Sequence, residues 1–208
     1  MRKIVMFCDR LEEHTPPEAS KSREYLERVI KSARRMQGFI EDLLKLSSVA
    51  TRALPFETVD LNQLVGEVIE DLEARIHHSN GKVQVEKLPT LAGDRTQLRQ
   101  LFQNLISNGL KYHQQNVDPV VTIAARPLQD GFWEFTVRDN GIGIPAENVE
   151  RIFQPFERLT DGGMFEGNGI GLAICKKIVD RHAGSVHVIS QINQGTTFLI
   201  TLPEQQQN

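Results

Sequence analysis

A carboxylate followed by two glycines stands at the end of a predicted strand. Residues 139–143 read Asp-Asn-Gly-Ile-Gly and directly follow the alternating run 133–138. Glycines in such a place let the backbone lie close to a flat ring or a phosphate, and the carboxylate can accept a hydrogen bond from it. The pattern GxGxxA at 141–146 also fits the dinucleotide fingerprint of nicotinamide-dependent dehydrogenases. That alternative is the weakest, because Pro145 interrupts the pattern and neither a βαβ crossover nor a strand-terminal acid follows.

A second glycine cluster, residues 167–171 (GNGIG), leads into the last predicted helix. The unpaired N–H groups and the positive dipole at a helix N-terminus attract anions, so this entry suits a phosphate. It is not a Walker loop, because the sequence contains no GxxxxGK[ST] motif. A single glycine of this kind most often marks a turn or a helix start. Two clusters on either side of one segment favour a ligand site.

A third segment places polar side chains on one helix face. Asn104 and Asn108 are four residues apart, and Lys111 and Tyr112 follow them in LFQNLISNGLKYH. An amide oxygen can coordinate Mg²⁺ beside phosphates, and a lysine can neutralise their charge. Taken alone, the same face fits a solvated helix surface with Lys111 as an ordinary surface charge. The three segments together predict a site for a phosphorylated ligand and Mg²⁺.

Alternating helical and extended patterns in residues 56–208 predict an α+β fold. Asp130-Gly131 and residues 193–195 (NQG) favour hairpin turns between neighbouring strands. Strands joined in this way imply a mixed or antiparallel sheet with helices on one face, a two-layer sandwich. The predicted helices are 61–77, 96–112 and 170–182, and the predicted extended segments are 56–59, 82–86, 120–125, 133–138, 186–190 and 197–202.

The first 48 residues have a different pattern, with apolar residues at helical spacing, which predicts a helical hairpin. A short apolar helix face at 4–11 ends before Thr15-Pro16-Pro17, because proline cannot continue a helix. One apolar stripe per helix cannot close a core, so we predict a four-helix bundle in a homodimer through residues 1–48. The alternative is that the hairpin packs on the rest of the chain. A connector at 49–55 then leads to the domain at 56–208. The seam of the second helix consists of Leu26, Val29, Ala33, Met36, Ile40 and Leu43.

Composition excludes several other classes of function. Interspersed charges, 24 Lys and Arg against 27 Asp and Glu, leave no basic face for nucleic acid. No window approaches the roughly 20 apolar residues of a membrane span, so no membrane contact by this chain is expected. A cytoplasmic location is expected because the few cysteines fit a reducing compartment. Two distant cysteines, Cys8 and Cys175, argue against disulfides and zinc. A surface position is expected for all six histidines: His14, His77, His78, His113, His182 and His187.

With these motifs in place, residues 56–203 resemble the ATP-binding domain shared by gyrases, chaperones and histidine kinases, the Bergerat fold. LFQNLISNGLKYH resembles its N box, DNGIG its first glycine box, and GNGIGLAI its second. IFQPFERL, with Phe153 and Phe156, resembles its phenylalanine box, and residues 195–198 (GTTF) its last box. The motifs follow the family order, and the resemblance implies a Mg-ATP site with a lid at about 146–166.

The resemblance also implies roles for individual residues. Asp139 would accept a hydrogen bond from the adenine amino group, and Asn108 would hold Mg²⁺ against the phosphates. Gly141 and Gly143 would let the chain pass the adenine, and the glycines of the second box would hinge the lid. The full set implied for the nucleotide is Asn104, Asn108, Lys111, Tyr112, Asp139, Gly141, Gly143, Arg158, Gly167, Gly169, Gly171 and Thr197, of which Asn104 and Lys111 are the candidate catalytic residues.

One position distinguishes kinases from hydrolases within this superfamily. The hydrolases carry a glutamate that activates water one turn before the Mg²⁺ asparagine, and this chain has Asn104 there. Because asparagine accepts no proton at neutral pH, the sequence favours phosphoryl transfer over hydrolysis. The alternatives are a catalytically silent nucleotide-binding or dimerisation module and a gyrase-type ATPase.

Residues 23–49 resemble the second helix of the dimerisation and phosphotransfer hairpin of sensor histidine kinases. The phosphoacceptor of that family is a histidine followed by an acidic residue and shortly by proline. His14, followed by Thr15 and Pro16, does not fit. We therefore expect the phosphoacceptor upstream of Met1 and expect the chain to lack autophosphorylation. The resemblance implies two partners, a sensor domain upstream in the parent protein and a response regulator receiver domain.

Overall fold

The computed structural model describes residues 11, 20–51, 54–157 and 168–205 and divides the chain into two compact units, Met1–Lys45 and Leu46–Asn208. The first predicted helix and its terminating prolines lie outside the described residues, apart from Leu11. Helix α1 (Ser20–Thr51) begins in the first unit and ends in the second. Within the described part of the chain, no helix offers a stretch long and apolar enough to cross a bilayer.

The predicted seam of α1 is only partly buried. Ala33 and the neighbouring Ile30 are 4% and 5% exposed. The same side of the helix also carries large apolar side chains in contact with solvent, an arrangement typical of a surface that associates with another apolar surface. These exposed residues are Tyr25, Val29, Met36, Ile40, Leu43 and Leu44.

The described part of the second unit contains two sheets and four further α-helices. A two-stranded antiparallel sheet pairs β1 with β3, and a five-stranded sheet has the order β2-β4-β5-β7-β6. Only the β2-β4 pair is parallel, so the larger sheet is mixed, as predicted. The helices are α2 (Leu61–Asp71), α3 (Glu73–His78), α4 (Arg95–Lys111) and α5 (Gly171–Arg181). The strands are β1 (Glu57–Asp60), β2 (Lys82–Val85), β3 (Thr90–Gly93), β4 (Val120–Pro127), β5 (Phe132–Asp139), β6 (Ser185–Gln191) and β7 (Gly195–Pro203).

One apolar core lies between the larger sheet and its helices. Alternate residues of the central strands are buried, as the two-residue period of a strand requires. The rings of Phe102 on α4 and Phe135 on β5 pack edge to face, with their centroids 6.0 Å apart. The opposite sheet face bears the intermediate and exposed residues of the same strands. The predicted two-layer sandwich is therefore confirmed. Its core includes Leu64, Val68, Leu98, Leu105, Val121, Ile123, Val137, Ile178, Phe198 and Ile200.

The structure corrects the predicted elements at two places. The helix predicted over 61–77 is interrupted at Leu72, which separates α2 from α3. Strand β3 was absent from the sequence prediction because Thr-Leu-Ala-Gly has neither strong alternation nor a run of β-branched residues. It is held by β1, with Val59 opposite Leu91. The Asp130-Gly131 hairpin is confirmed, since both residues have the positive φ, 60° and 74°, that a tight β-hairpin turn requires.

A buried ion pair joins α4, α5 and the connector. Asp94 is 1% exposed and caps α4 by accepting the Gln97 N–H at 3.2 Å. Its other oxygen accepts from Arg181 Nη1 and from the Leu54 N–H, each at 2.9 Å. Arg181 also donates to Leu54 O at 2.7 Å, and its guanidinium lies 4.7 Å from the Phe56 ring centroid. Leu54 and Phe56 follow α1, so the chain entering the domain is fastened to both helices.

His182 overturns the prediction that all six histidines lie at the surface, because it is fully buried. Its Nδ1 faces Ile178 O at 2.8 Å and its Nε2 accepts the Asp94 N–H at 3.1 Å, so the neutral ring with a proton on Nδ1 satisfies both bonds. Burial lowers the pKa of His182, while the Ile178 carbonyl and Asp94 act in the opposite direction. No local pattern marks this histidine, whose partner lies 88 residues earlier.

We expect the depressed pKa of His182 to make folding stability fall in mild acid. An unfolded histidine titrates near 6.5 and the folded one lower, so below that pH the unfolded state binds a proton that the folded state does not. Stability is therefore complete above pH 6.5 and declines as the pH falls toward the folded pKa, by up to about 1.4 kcal/mol per pH unit. Urea unfolding of wild type and His182→Gln between pH 7.5 and 5 should show a shallower dependence in the variant. His187→Gln, at an exposed position, is the control, and equal slopes for all three proteins would contradict the expectation.

Removing Arg181 should destabilise the domain far more than removing an arginine from an exposed pair. Arg181→Met leaves the buried Asp94 carboxylate without its cation, which costs about 3–5 kcal/mol in comparable cases. Arg99→Met breaks the more exposed pair with Asp71, which should cost about 0–1 kcal/mol. Chemical denaturation at pH 7 measures both changes. If both substitutions lower the free energy of unfolding by the same amount, the Asp94–Arg181 pair stabilises the domain no more than the exposed pair does.

Candidate nucleotide-binding site

Asp139, the last residue of β5, is held so that one carboxylate oxygen stays open. Its Oδ1 accepts the N–H groups of Gly141 at 2.9 Å and Thr196 at 3.1 Å. No described residue donates to Oδ2. Burial raises the pKa of Asp139, and the two backbone bonds oppose that rise. A half-buried carboxylate with one oxygen fixed by the backbone and the other unused is suited to accept a hydrogen bond from a ligand.

The two glycines of the DNGIG turn are required by the protein's own backbone. A Cβ on Gly141 would lie 2.3 Å from Tyr112 O, and Gly143 has a φ of 72° with Gln191 O 2.0 Å from a Cβ position. Between them, the Ile142 N–H donates to Tyr112 O at 2.9 Å. The sequence prediction assigned these glycines to the passage of the chain past an adenine. The structure shows a prior reason, which is the close approach of the turn to α4 and to the β6-β7 hairpin.

The predicted polar face of α4 is present, and its members have different surroundings. Asn104 Nδ2 donates to Gly171 O at 3.2 Å, which ties α4 to the start of α5. Asn108 is half-buried, and its side chain makes no hydrogen bond to a described residue. Lys111 Nζ donates to the Tyr112 hydroxyl at 2.7 Å and lies 4.1 Å from that ring's centroid. Asn108 is therefore the amide on this face that is open to a ligand.

The second glycine segment opens α5 without a side-chain cap. Ile170 occupies the N-cap position and offers no side-chain acceptor, so the first N–H groups of α5 lack a partner from it. A Cβ on Gly171 would lie 3.7 Å from Asn104 Cγ, which places this helix end beside α4. Gly169 has a φ of 71°, and its carbonyl accepts the Phe156 N–H at 3.0 Å. An uncapped helix N-terminus next to Asn104 is a position where an anion is stabilised.

Part of the predicted lid can be described. Residues 146–157 contain two short 3₁₀ turns, with Ile152 buried in the core and an ion pair between Arg151 and Glu157. Phe153 packs against the core, whereas Phe156 is 47% exposed. The predicted site residues Arg158 and Gly167 lie outside the described residues.

The two threonines of the last box lie on opposite faces of β7. Thr197 lies opposite the exposed Arg138 on β5, on the sheet face that points away from Asp139. Thr196 instead is 5% exposed, donates its N–H to Asp139, and places Oγ1 2.9 Å from Ser190 Oγ. Ser190 Oγ in turn receives the Ile144 N–H at 2.8 Å. Because side chains alternate along a strand, the apolar Phe198 could have indicated that Thr196 also lies on the inner face. No sequence pattern indicated Ser190.

The site therefore combines an open carboxylate at the end of the central strand β5, an open amide on α4 and an uncapped helix N-terminus. Residues 93–206 match the family described as histidine kinase-, DNA gyrase B-, and HSP90-like ATPase. Together with the fold, this match defines the class of the domain as the ATP-binding catalytic domain of sensor histidine kinases. The match includes 114 of the 208 residues, counting 93 through 206, and the chain belongs to this family.

Individual relatives agree with this assignment. Cyanobacterial phytochrome A of Nostoc sp. is 38% identical over 182 residues, which cover 88% of this chain and 24% of the relative. The structure of full-length ShkA in complex with AMPPNP aligns with a TM-score of 0.72 at 26% identity, over 96% of this chain and 42% of that one. Histidine kinase ThkA in complex with response regulator protein TrrA aligns with a TM-score of 0.68 at 25% identity, over 97% and 56%. The chain spans about a quarter of the length of the phytochrome relatives it matches.

Replacing Asp139 by asparagine should weaken ATP binding about tenfold to a hundredfold. The amide removes a charge-assisted hydrogen bond worth about 1.5–3 kcal/mol. In the wild type, affinity should decline as the pH falls through the raised pKa of Asp139, since only the carboxylate is a full acceptor, and that decline should begin at a higher pH than for an ordinary aspartate. Calorimetric titration of Mg-ATP between pH 8 and 5 measures both effects. Asp130→Asn, in the distant β4-β5 hairpin, should bind as wild type. Unchanged affinity in Asp139→Asn would exclude Asp139 from the site.

Proposed function

We propose that this chain binds Mg-ATP and transfers its γ-phosphoryl group to a histidine, from which a response regulator receiver domain takes it onto an aspartate. The observation that carries the proposal is Asn104, which occupies the position of the hydrolase base and donates to Gly171 O. An amide engaged in this way cannot take a proton from water. ATP held at the site is therefore protected from hydrolysis until another nucleophile reaches it.

In the proposed complex the adenine lies against the DNGIG turn. Asp139 Oδ2 accepts from the adenine amino group, because it is the oxygen that the protein leaves unused. Tyr112, at the end of α4, borders the same region through its backbone carbonyl, which accepts the Ile142 N–H. The complex of ShkA with the ATP analogue AMPPNP supports a nucleotide at this domain.

The residues present suit Mg²⁺ bound mainly by phosphate. Among the described residues no group of three or more His, Cys, Asp or Glu side chains is placed to hold a metal. The free amide of Asn108 supplies a hard oxygen, and phosphates and water supply the others. The bound ion would neutralise charge on the phosphates during transfer. The uncapped start of α5 would hold the phosphate oxygens, and Lys111 would turn from the Tyr112 hydroxyl toward them.

The transfer itself needs a nucleophile from outside the nucleotide site. A histidine ring nitrogen attacks the γ-phosphorus, the bond from that phosphorus to the β-γ bridging oxygen breaks, and ADP leaves. None of the six histidines in the sequence precedes an acidic residue and a nearby proline. We propose that the acceptor is a histidine of the parent protein outside these 208 residues.

The proposed organisation has three parts: a helical hairpin at 1–48, a connector at 49–55 and a catalytic domain at 56–208. The exposed apolar side of α1, which includes Met36, Ile40 and Leu43, supports a homodimer through the hairpin, because a second copy would bury it. A sensor domain of the parent protein would act on this hairpin in the cytoplasm. The complex of histidine kinase ThkA with the response regulator TrrA supports a receiver domain as the phosphoryl acceptor.

The test is to compare wild type with two variants at Asn104. Wild type should bind Mg-ATP, release little ADP and gain no phosphohistidine when incubated with γ-labelled ATP. Asn104→Glu should release ADP at least about tenfold faster than Asn104→Gln, because only the carboxylate can act as a general base. Glutamine keeps the amide and controls for side-chain length.

Three outcomes would contradict the proposal in different ways. Rapid ADP release by wild type would favour a gyrase-type ATPase. Label on one of the six histidines would place the acceptor inside the chain. Absence of ATP binding would leave a silent dimerisation module as the better account.

A further inference from the structure

Gln114, just beyond the end of α4, connects three parts of the site through one side-chain amide. Its Nε2 donates to Asn193 O at 2.9 Å, to Gly141 O at 3.3 Å and to Asn140 O at 3.4 Å. Asn140 and Gly141 belong to the DNGIG turn, and Asn193 belongs to the turn between β6 and β7. Gln114 itself belongs to none of the sequence motifs described above.

The two turns that Gln114 joins also define the position of Asp139. The Asn193 N–H donates to Ile142 O at 2.8 Å, so the turns are bonded to each other directly. Asp139 is bonded to the Gly141 N–H, and the carbonyl of that same Gly141 receives the Gln114 amide. Gln114 is thus bonded to the carbonyl of the same glycine whose N–H donates to the Asp139 carboxylate.

We propose that Gln114 is a positioning residue for the nucleotide, which fixes the DNGIG turn relative to α4 so that Asp139 Oδ2 and Asn108 keep the separation that ATP must span. The inference rests on the proposed function. Gln114 makes its contacts with the backbone behind the turn and acts through Asp139. Its chemical type follows from its partners, because three carbonyl oxygens require a donor, and a primary amide supplies two N–H groups without a charge.

The chain supplies a matched control in the adjacent Gln115. This side chain is exposed and makes no hydrogen bond to a described residue. Substitutions at the two glutamines remove the same chemical group from neighbouring positions in one loop. Gln114→Met keeps the length of the side chain without its donors, and Gln114→Glu keeps its shape but turns the donor group into an acceptor that faces three carbonyls.

The experiment measures ATP and GTP binding by calorimetry at 20 °C, together with thermal unfolding of the nucleotide-free proteins. Gln114→Met and Gln114→Glu should raise the Kd for Mg-ATP about tenfold, while Gln115→Met should match wild type. The preference for ATP over GTP should shrink by a similar factor, because the displaced Asp139 no longer recognises the adenine amino group. A purely structural residue would lower the melting temperature and leave this preference unchanged in the folded protein.

Each outcome decides between the two proposals. If wild type binds ATP and both Gln114 variants keep its affinity and its preference over GTP, the positioning role is wrong and the proposed function stands. If the loss of affinity is fully explained by a loss of folded protein at 20 °C, Gln114 is structural only. If wild type itself fails to bind ATP, the proposed function fails and the positioning role with it.

Discussion

The ion pair between Asp94 and Arg181 sets the register of the two helices that frame the site. Asp94 precedes α4 and Arg181 ends α5, so the two helices are antiparallel and both extend from this anchor toward the same end of the domain. Asn104 lies ten residues along α4 from Asp94, and Gly171 lies ten residues back along α5 from Arg181. At about 1.5 Å per residue, both positions are about 15 Å from the anchor, and they meet through the Asn104 amide. The uncapped end of α5 is thereby placed against the polar face of α4.

The same anchor also fastens the chain that enters the domain. Asp94 accepts the Leu54 N–H, Arg181 donates to Leu54 O, and Gln97 Nε2 donates to Val49 O at 2.8 Å. Because the groups that bind the connector also align α4 with α5, a movement of the connector must break or reorient bonds of the helix register itself. The end of α1 and the connector are therefore bonded to the same side chains, Asp94, Gln97 and Arg181, that lie where α4 begins and α5 ends.

Sequence reasoning succeeded where the determining interactions are local. Helical periodicity located α4 to within one residue at each end, and Asp130-Gly131 identified a hairpin by the conformations the two residues adopt. It failed for residues whose surroundings depend on partners that are distant in the sequence. Buried His182 accepts the backbone N–H of Asp94 on its Nε2. The side-chain amide of Gln114 donates to backbone carbonyls of two turns that are distant in the sequence. Glutamine and histidine are both common at surfaces, so their types alone give no warning of such roles.

Asn104 shows how one side chain can serve architecture and chemistry together. Its Nδ2 donates to Gly171 O, a bond that a carboxylate at the same position cannot make because it has no proton to give at neutral pH. The amide that withholds a general base from water is thus also the contact that closes the register between α4 and α5. A change to glutamate would introduce a base and at the same time place a negative charge beside a carbonyl oxygen and near the bound phosphates. In the proposed function, the protection of ATP and the alignment of its phosphate site would therefore depend on the same side-chain amide.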